Sequence, residues 1–266
     1  IFHKYLKMCI VFFLICNKRK AFGICAVFIL ILLLLLGAPI LKKERIQHAA
    51  GRSKRLPVYS VETEEAKIAL TFDCAWENSD TDILLSLLSK YNVKATFFTT
   101  GDWCRRYPDD VKRLHTAGHA IENHSDQHPH VASIDTQMLQ NDTETCSKTI
   151  MELTGTAPQY YRAPYGEYSD AMLTVVEDTL GLQTIQWDVD SRDWQKRSAE
   201  DMASSVTKSV QNGSILLFHN DTPNTPQALE TIIPALQEKG YTFVLLPELV
   251  APAGTPIDHT GRQQPK

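Results

Sequence analysis

Cysteine is scarce in this sequence of 266 residues, and no two of the six cysteines form a Cys-x-x-Cys pair. Three lie in or near apolar N-terminal segments, and the other three, Cys74, Cys104 and Cys146, form an odd set. This pattern excludes a small fold built on a disulfide framework. Two alternatives stay open: one disulfide between Cys104 and Cys146 outside the cell, or unpaired thiols throughout.

Positive charge is also scarce after the N-terminal region. Residues 1–55 hold 11 Lys and Arg and one acidic residue, whereas the rest of the chain holds 16 basic and 30 acidic residues. A nucleic-acid-binding domain carries the opposite sign, so nucleic acid is excluded as a partner, while the basic N-terminal region suits an anionic membrane surface. The absence of a G-x-S-x-G elbow argues against a serine hydrolase.

One long apolar run, Ala21 to Leu41, contains no charged residue. As a helix it is long enough to cross a hydrocarbon core of about 30 Å, whereas a signal-peptide core is shorter, on the order of 7–15 residues. Residues 37–39 match a cleavage site poorly, which favours an uncleaved transmembrane anchor over a cleaved leader. The basic residues 18–20 predict a cytoplasmic segment over residues 1–20, and hence an extracytoplasmic domain after the anchor.

After a basic juxtamembrane linker, predicted over residues 42–63, short apolar runs alternate with amphipathic stretches over residues 64–250. Strands are predicted at 68–72, 95–100, 120–123, 159–162, 183–189, 214–218 and 241–246, and helices at 80–91, 108–117, 134–153, 169–180, 198–210 and 225–239. Strand–helix alternation predicts a parallel α/β sheet. Seven repeats without a Gly-rich dinucleotide loop favour a barrel. The Pro- and Gly-containing tail, 251–266, is predicted to be disordered.

Two histidines, His124 and His128, follow the third predicted strand at a spacing of four residues. Imidazoles at this spacing can face one point in space, and neutral imidazole is a standard ligand for zinc. An isolated pair of this kind is about as often two solvated loop histidines.

Four further polar groups follow other predicted strands, at the end where barrels build their active sites. They are Asp73 with Cys74, Arg162 with Tyr165, the group Asp188, Asp190, Asp193 and Trp194, and His219 with Asn220. Each group alone has an ordinary explanation, such as a helix cap, a surface charge or a loop histidine. Five groups on one rim indicate a catalytic site.

These residues supply the parts needed to hydrolyse an amide or an ester. The histidine pair could hold a metal, Asp73 is a candidate general base, and His219 is a candidate general acid for a leaving amine. Arg162 could keep Asp73 ionised, and Asp193 could orient His219. The backbone N–H of Tyr165 could stabilise an oxyanion.

Five sequence motifs stand in the order Thr71-Phe72-Asp73, His124-xxx-His128, Arg162-Ala163-Pro164-Tyr165, Asp190-Ser191-Arg192-Asp193-Trp194 and Leu217-Phe218-His219. In this order they resemble the motifs of the NodB-type polysaccharide deacetylases, carbohydrate esterase family 4, over residues 64–250. The resemblance implies a distorted (β/α)7 barrel that removes N- or O-acetyl groups from chitin, peptidoglycan or related glycans. It also implies the same catalytic roles for Asp73, His219, Arg162, Asp193 and Tyr165.

The first motif departs from the family pattern at Cys74, where the family usually has a second acidic residue as the third metal ligand. The run Phe72-Asp73-Cys74-Ala75-Trp76 resembles the membrane-anchored deacetylases of spore-forming bacteria. The resemblance implies a divalent metal held by His124 and His128, and because a thiolate binds zinc well, we predict zinc held by His124, His128 and Cys74. The alternatives are Asp73 in place of Cys74, weak binding completed by water, or no metal.

Four residues are predicted to contact the substrate. The resemblance places Trp194 and Leu217 against the acetyl methyl group, and Trp76 and Tyr165 offer flat faces of the kind that cover sugar rings. His130 is predicted to be a spectator beside the histidine pair, and His115 and His119 to be surface residues.

The leading hypothesis is a monomeric, membrane-anchored N-deacetylase acting on peptidoglycan outside the cytoplasmic membrane. The second is a catalytically silent protein that binds cell-wall glycan, which rests on Cys74. The third is a glycosidase that uses Asp73 with Asp190 or Asp193, at a carboxylate separation of about 5–9.5 Å; it leaves the histidines unexplained.

Overall fold

The structure is a computed structural model that describes residues 55–265. The predicted cytoplasmic segment, the anchor and most of the linker lie outside the described residues. Within residues 55–265, no helix combines the length and the apolar character needed to cross a membrane.

Parallel strands form the centre of the described domain. The strands are β1 (Ser60–Val61), β2 (Lys67–Cys74), β3 (Thr96–Thr99), β4 (Ala120–Asn123), β5 (Tyr160–Tyr161), β6 (Gln183–Thr184), β7 (Val189–Asp190), β8 (Ile215–His219), β9 (Thr242–Phe243) and β10 (Arg262–Gln263). Seven of them pair in the order β6-β5-β4-β3-β2-β8-β7, and β9 pairs with the start of β2. The predicted parallel α/β architecture is confirmed.

Helices connect these strands. They are α1 (Thr81–Lys90), α2 (Gly101–Arg106), α3 (Pro108–Thr116), α4 (Thr136–Thr154), α5 (Asp170–Leu173) with a π-helical continuation (Thr174–Thr179), α6 (Ala199–Ser209), α7 (Thr225–Glu238) and α8 (Leu246–Leu249). Side-chain oxygens of Thr100, Asp135 and Ser198 cap α2, α4 and α6 by accepting backbone N–H groups of the first turn. The helix α2 was missed because it begins directly after β3 and has only six residues.

The central strand β2 separates the core from the site. Ile68, Leu70 and Phe72 on one face are fully buried in an apolar cluster with residues of the surrounding helices. Side chains alternate along a strand, so Thr71 and Asp73 face the opposite side, where Arg162 contacts both. The polar site therefore lies on the inner face of the sheet, with the main core between the sheet and the helices.

The predicted strand over residues 183–189 is two strands in the structure. β6 and β7 lie at opposite ends of the sheet, and in the described chain they do not pair with each other. Residues 185–188 cross between the two ends, and Ile185 bridges to Val58. The strands therefore form a half-barrel. It is open between β6 and β7, which share no hydrogen bonds in the described chain.

The prediction of a disordered tail is wrong for residues 251–265. β10 pairs with β1 in parallel, and the Gln263 side chain is fully buried, with its amide oxygen and nitrogen bonded to the backbone of Ala251. Composition suggested disorder, but a partner distant in sequence satisfies the backbone of this segment.

Candidate active site

The base candidate Asp73 lies near the end of β2 and is held by Arg162. Arg162 is fully buried, and its Nη1 donates to Asp73 Oδ1 at 2.8 Å and to Thr71 Oγ1 at 2.9 Å. The rest of the guanidinium donates to backbone carbonyls of Ile185 and Gln186. These four hydrogen bonds fix the guanidinium, and with it the carboxylate of Asp73, in one orientation.

The environment of Asp73 favours its ionised form. Burial opposes ionisation, but the charge and hydrogen bond of Arg162 outweigh it, so the pKa of Asp73 is lowered. A carboxylate that stays ionised at neutral pH can accept a proton from a water molecule.

The acid candidate His219 stands beside Asp73, because residues 73 and 219 are register partners in β2 and β8. Its Nδ1–H donates to Asp193 Oδ1 at 2.7 Å, and its backbone N–H donates to Asp193 Oδ2 at 2.8 Å. Thr225 Oγ1 donates to the same Oδ2 at 2.8 Å. Burial lowers the pKa of His219, but the hydrogen bond and charge of Asp193 outweigh it and the pKa is raised. Asp193 therefore stabilises the protonated form of the His219 imidazole relative to its neutral form.

The histidine pair follows β4, and its two rings have centroids 5.0 Å apart. His124 Nδ1 donates to the Arg162 carbonyl at 2.8 Å, which leaves Nε2 without a proton, 3.6 Å from Asp73 Oδ2. Burial lowers the pKa of both histidines, that of His128 to about 4 with the charge of His124 contributing. Neutral imidazole with a backbone acceptor on its second nitrogen is the form that binds metals.

The third predicted ligand, Cys74, does not join this pair. Cys74 is buried in the apolar cluster on the core face of β2, opposite Asp73. Burial raises its thiol pKa well above the usual range, which disfavours the thiolate that binds zinc. In the described chain no three His, Cys, Asp or Glu side chains are placed to hold a metal. The structure therefore corrects the Cys74 prediction, and the residues present form an incomplete ligand set.

Aromatic side chains surround the opening of the site. The Trp76 ring lies 5.7 Å from both His128 and His219, measured between centroids. Trp76, Tyr165 and Trp194 are exposed, whereas Leu217 is buried in β8. Their predicted roles in binding substrate stay predictions.

Comparison with known proteins identifies the family. The polysaccharide deacetylase family model matches residues 60–185. A peptidoglycan-N-acetylglucosamine deacetylase of Bacillus cereus is 35% identical over 190 residues, which cover 70% of this chain and 68% of that protein. The peptidoglycan-N-acetylmuramic acid deacetylase PdaA of Bacillus subtilis is 32% identical over 196 residues, covering 72% and 74%. This chain belongs to the polysaccharide deacetylase family.

Among solved structures, a family 4 pseudoenzyme from Bacillus anthracis has a TM-score of 0.71 and 26% identity, covering 81% of this polysaccharide deacetylase and 74% of that chain. The chain spans about half the length of some curated relatives, for example 47% of PgdA from Listeria monocytogenes.

Of the residues predicted for this polysaccharide deacetylase site, the structure brings together Asp73, Arg162, His124, His128 and His219, with Asp193 behind His219. Asp193 commits both oxygens to His219, so it is not free to serve as one of a glycosidase pair.

Sequence reasoning missed Thr71 and Thr225, whose hydroxyls support Arg162 and Asp193. It also missed Glu167, which accepts a hydrogen bond from His130. His119 was predicted to be a surface residue, but it is buried and its Nδ1 accepts the Ala95 N–H. No local signal in the sequence reveals these contacts, apart from the position of Thr71 inside the first motif.

Proposed function

We propose that this domain removes N-acetyl groups from amino sugars of a cell-wall glycan, peptidoglycan. The observation that carries the proposal is the placement, on adjacent strands, of a carboxylate held by an arginine beside an imidazole held by a carboxylate. Asp73 is held ionised by Arg162, and His219 is hydrogen-bonded to Asp193, whose charge favours the protonated imidazole. Amide hydrolysis requires a group that accepts a proton from water and a neighbouring group that donates a proton to the leaving nitrogen, and Asp73 and His219 match these two roles. The names of the similar proteins, which act on N-acetylglucosamine or N-acetylmuramic acid of peptidoglycan, support this substrate class.

Each group has one task in this hydrolysis. Asp73 accepts a proton from the attacking water as its oxygen bonds to the acetyl carbon. The backbone N–H of Tyr165 donates to the oxyanion of the tetrahedral intermediate. His219 then gives its proton to the sugar nitrogen, the C–N bond breaks, and acetate and a free amine leave.

A divalent metal belongs to this proposal as an expectation from the family. His124 and His128 would contribute two imidazole ligands, and zinc suits such ligands. Because the residues present do not complete a ligand set, no step above depends on a metal.

The setting is also part of the proposal. The apolar run of residues 21–41 would anchor a monomer in the cytoplasmic membrane, with the domain outside the cell. Trp76, Tyr165 and Trp194 would cover sugar rings, and Leu217 would contact the acetyl methyl group.

The test is acetate release from N-acetylated peptidoglycan by the full chain. We expect release by the wild type and none by Asp73→Asn, with both proteins folded by circular dichroism. Zinc or a chelator in parallel reactions reports whether turnover needs a metal. Absence of release by the wild type under all conditions would overturn the proposal.

A second candidate is a catalytically silent glycan-binding protein. Two observations favour it: Cys74 lies away from the histidines, and a family 4 pseudoenzyme shares the fold. Sedimentation with insoluble peptidoglycan separates the two candidates. Binding without any acetate release supports the silent protein, whereas release supports the deacetylase.

A further inference from the structure

A stacked pair of rings joins two loops at the opening of the site. The imidazole of His130 and the phenol ring of Tyr165 have centroids 3.9 Å apart and planes within 8°. His130 Nδ1–H donates to Glu167 Oε1 at 2.8 Å. His130 belongs to the loop of the histidine pair, and the other two residues belong to the loop that follows β5. The three side chains therefore tie together two loops that are 37 positions apart in sequence.

The loop that carries Tyr165 has a strained backbone at this residue. Tyr165 has φ 60° and ψ 8°, a left-handed conformation that a bulky residue rarely adopts. Such a conformation persists only where the surroundings hold it. Tyr165 is largely exposed, so little burial of its own fixes the ring.

The contacts of Tyr165 supply that support from two sides. The ring of His128 meets Tyr165 edge-on at 4.7 Å between centroids, and His130 covers one face of the phenol ring. Glu167 in turn holds His130 from a position two residues after Tyr165. A partly exposed hydrogen bond alone adds little to stability, but here the one between His130 and Glu167 fixes the orientation of a stacked ring.

We propose that His130 and Glu167 are positioning residues that hold Tyr165, and through it the backbone N–H that donates to the oxyanion. The role in turnover rests on the proposed function. The role in holding the loop does not. His130 is then part of the site without being a metal ligand or touching the substrate.

Three variants separate the contacts. His130→Ala removes the stack and the hydrogen bond, His130→Phe keeps the stack alone, and Glu167→Ala leaves the imidazole without its partner. A misplaced catalytic group costs up to about 100-fold in rate, and we expect His130→Ala to lower kcat about tenfold with KM nearly unchanged. His130→Phe should recover most of this loss. Glu230→Gln removes a carboxylate paired with Lys90 outside the site and serves as the matched control.

Hydrogen exchange of residues 164–167, followed by mass spectrometry, tests without any turnover whether His130 and Glu167 hold the loop that carries Tyr165. We expect several-fold faster exchange in His130→Ala, a smaller increase in Glu167→Ala and in His130→Phe, which both keep a stacked ring but lose the hydrogen bond, and wild-type exchange in Glu230→Gln. If the wild type releases no acetate, the proposed function fails. Hydrogen exchange still shows in that case whether His130 and Glu167 hold the loop of Tyr165. Unchanged exchange in His130→Ala would overturn the inference. Exchange in His130→Phe as fast as in His130→Ala would also overturn it.

Discussion

Replacing Arg162 with methionine removes the partner of a buried carboxylate. Arg162 is fully buried and donates hydrogen bonds to Asp73, Thr71 and two backbone carbonyls. Its guanidinium carbon also lies 4.0 Å from the Phe98 ring centroid. Methionine fills much of the same volume, so the main loss is charge and hydrogen bonding rather than packing.

The loss in the free energy of unfolding depends on the Asp73 carboxylate, which stays buried without its partner. Removing one member of a buried ion pair costs about 3–5 kcal/mol, because the remaining charge is left without compensation. For a domain of this size each kcal/mol lowers Tm by roughly 2–4 °C. We expect Arg162→Met to lower the free energy of unfolding by about 3–5 kcal/mol.

A double-mutant cycle, measured by urea unfolding at pH 7, gives the interaction energy between Asp73 and Arg162. Asp73→Asn alone should cost about 1–3 kcal/mol, since Arg162 keeps its other acceptors. The double variant should cost less than the sum of the single variants by at least about 1 kcal/mol. Arg113→Met, which removes an exposed arginine that pairs with Asp82 and Asp110, is the control and should cost less than about 1 kcal/mol.

Two results would refute this account of the site. Additive single variants would show that Asp73 and Arg162 do not interact energetically. A cost below about 1 kcal/mol for Arg162→Met would show that Asp73 does not depend on a buried positive charge.

Three further outcomes are expected. Asp193→Asn removes the carboxylate that raises the pKa of His219, so the basic limb of the kcat/KM profile should move to lower pH and kcat should fall by about 100-fold or more. Burial lowers the pKa of His119 to about 4, so the native state holds this imidazole neutral; urea unfolding should show stability falling as pH drops from about 6.5 to 4, by up to about 1.4 kcal/mol per pH unit. Any zinc affinity that the histidine pair provides should change by much less than about tenfold in Cys74→Ala, measured by calorimetry, since the thiol faces the core, whereas His128→Ala should weaken it strongly.

Each of these outcomes has a control. Asp201→Asn, on the surface of α6, should leave the pH profile unchanged, and an unshifted basic limb in Asp193→Asn would contradict the role of Asp193. His119→Gln should flatten the acid dependence of stability relative to His115→Gln, and equal slopes would exclude His119 as its source. Loss of zinc binding in Cys74→Ala would restore Cys74 as a ligand.

Much of the site could be predicted from the sequence because its signals are local. Asp73, His124, Arg162 and His219 each lie at or directly after the end of a strand, and the strands are short apolar runs that periodicity detects. Parallel strands bring their carboxyl ends to one edge, so position along the chain was enough to place these residues together. The same reasoning failed at Cys74, because a shift of one residue along a strand reverses the face on which a side chain lies.

The sequence by itself determined the alternation of strands and helices, the order of the five motifs and the charge division of the chain, since these depend on neighbouring residues. Only the tertiary structure decided the split between β6 and β7, the ordered tail paired with β1, the face taken by Cys74, and the contact of His130 with Tyr165 and Glu167. Each of these depends on pairing or packing between segments far apart in sequence, where local propensity carries no information about the partner.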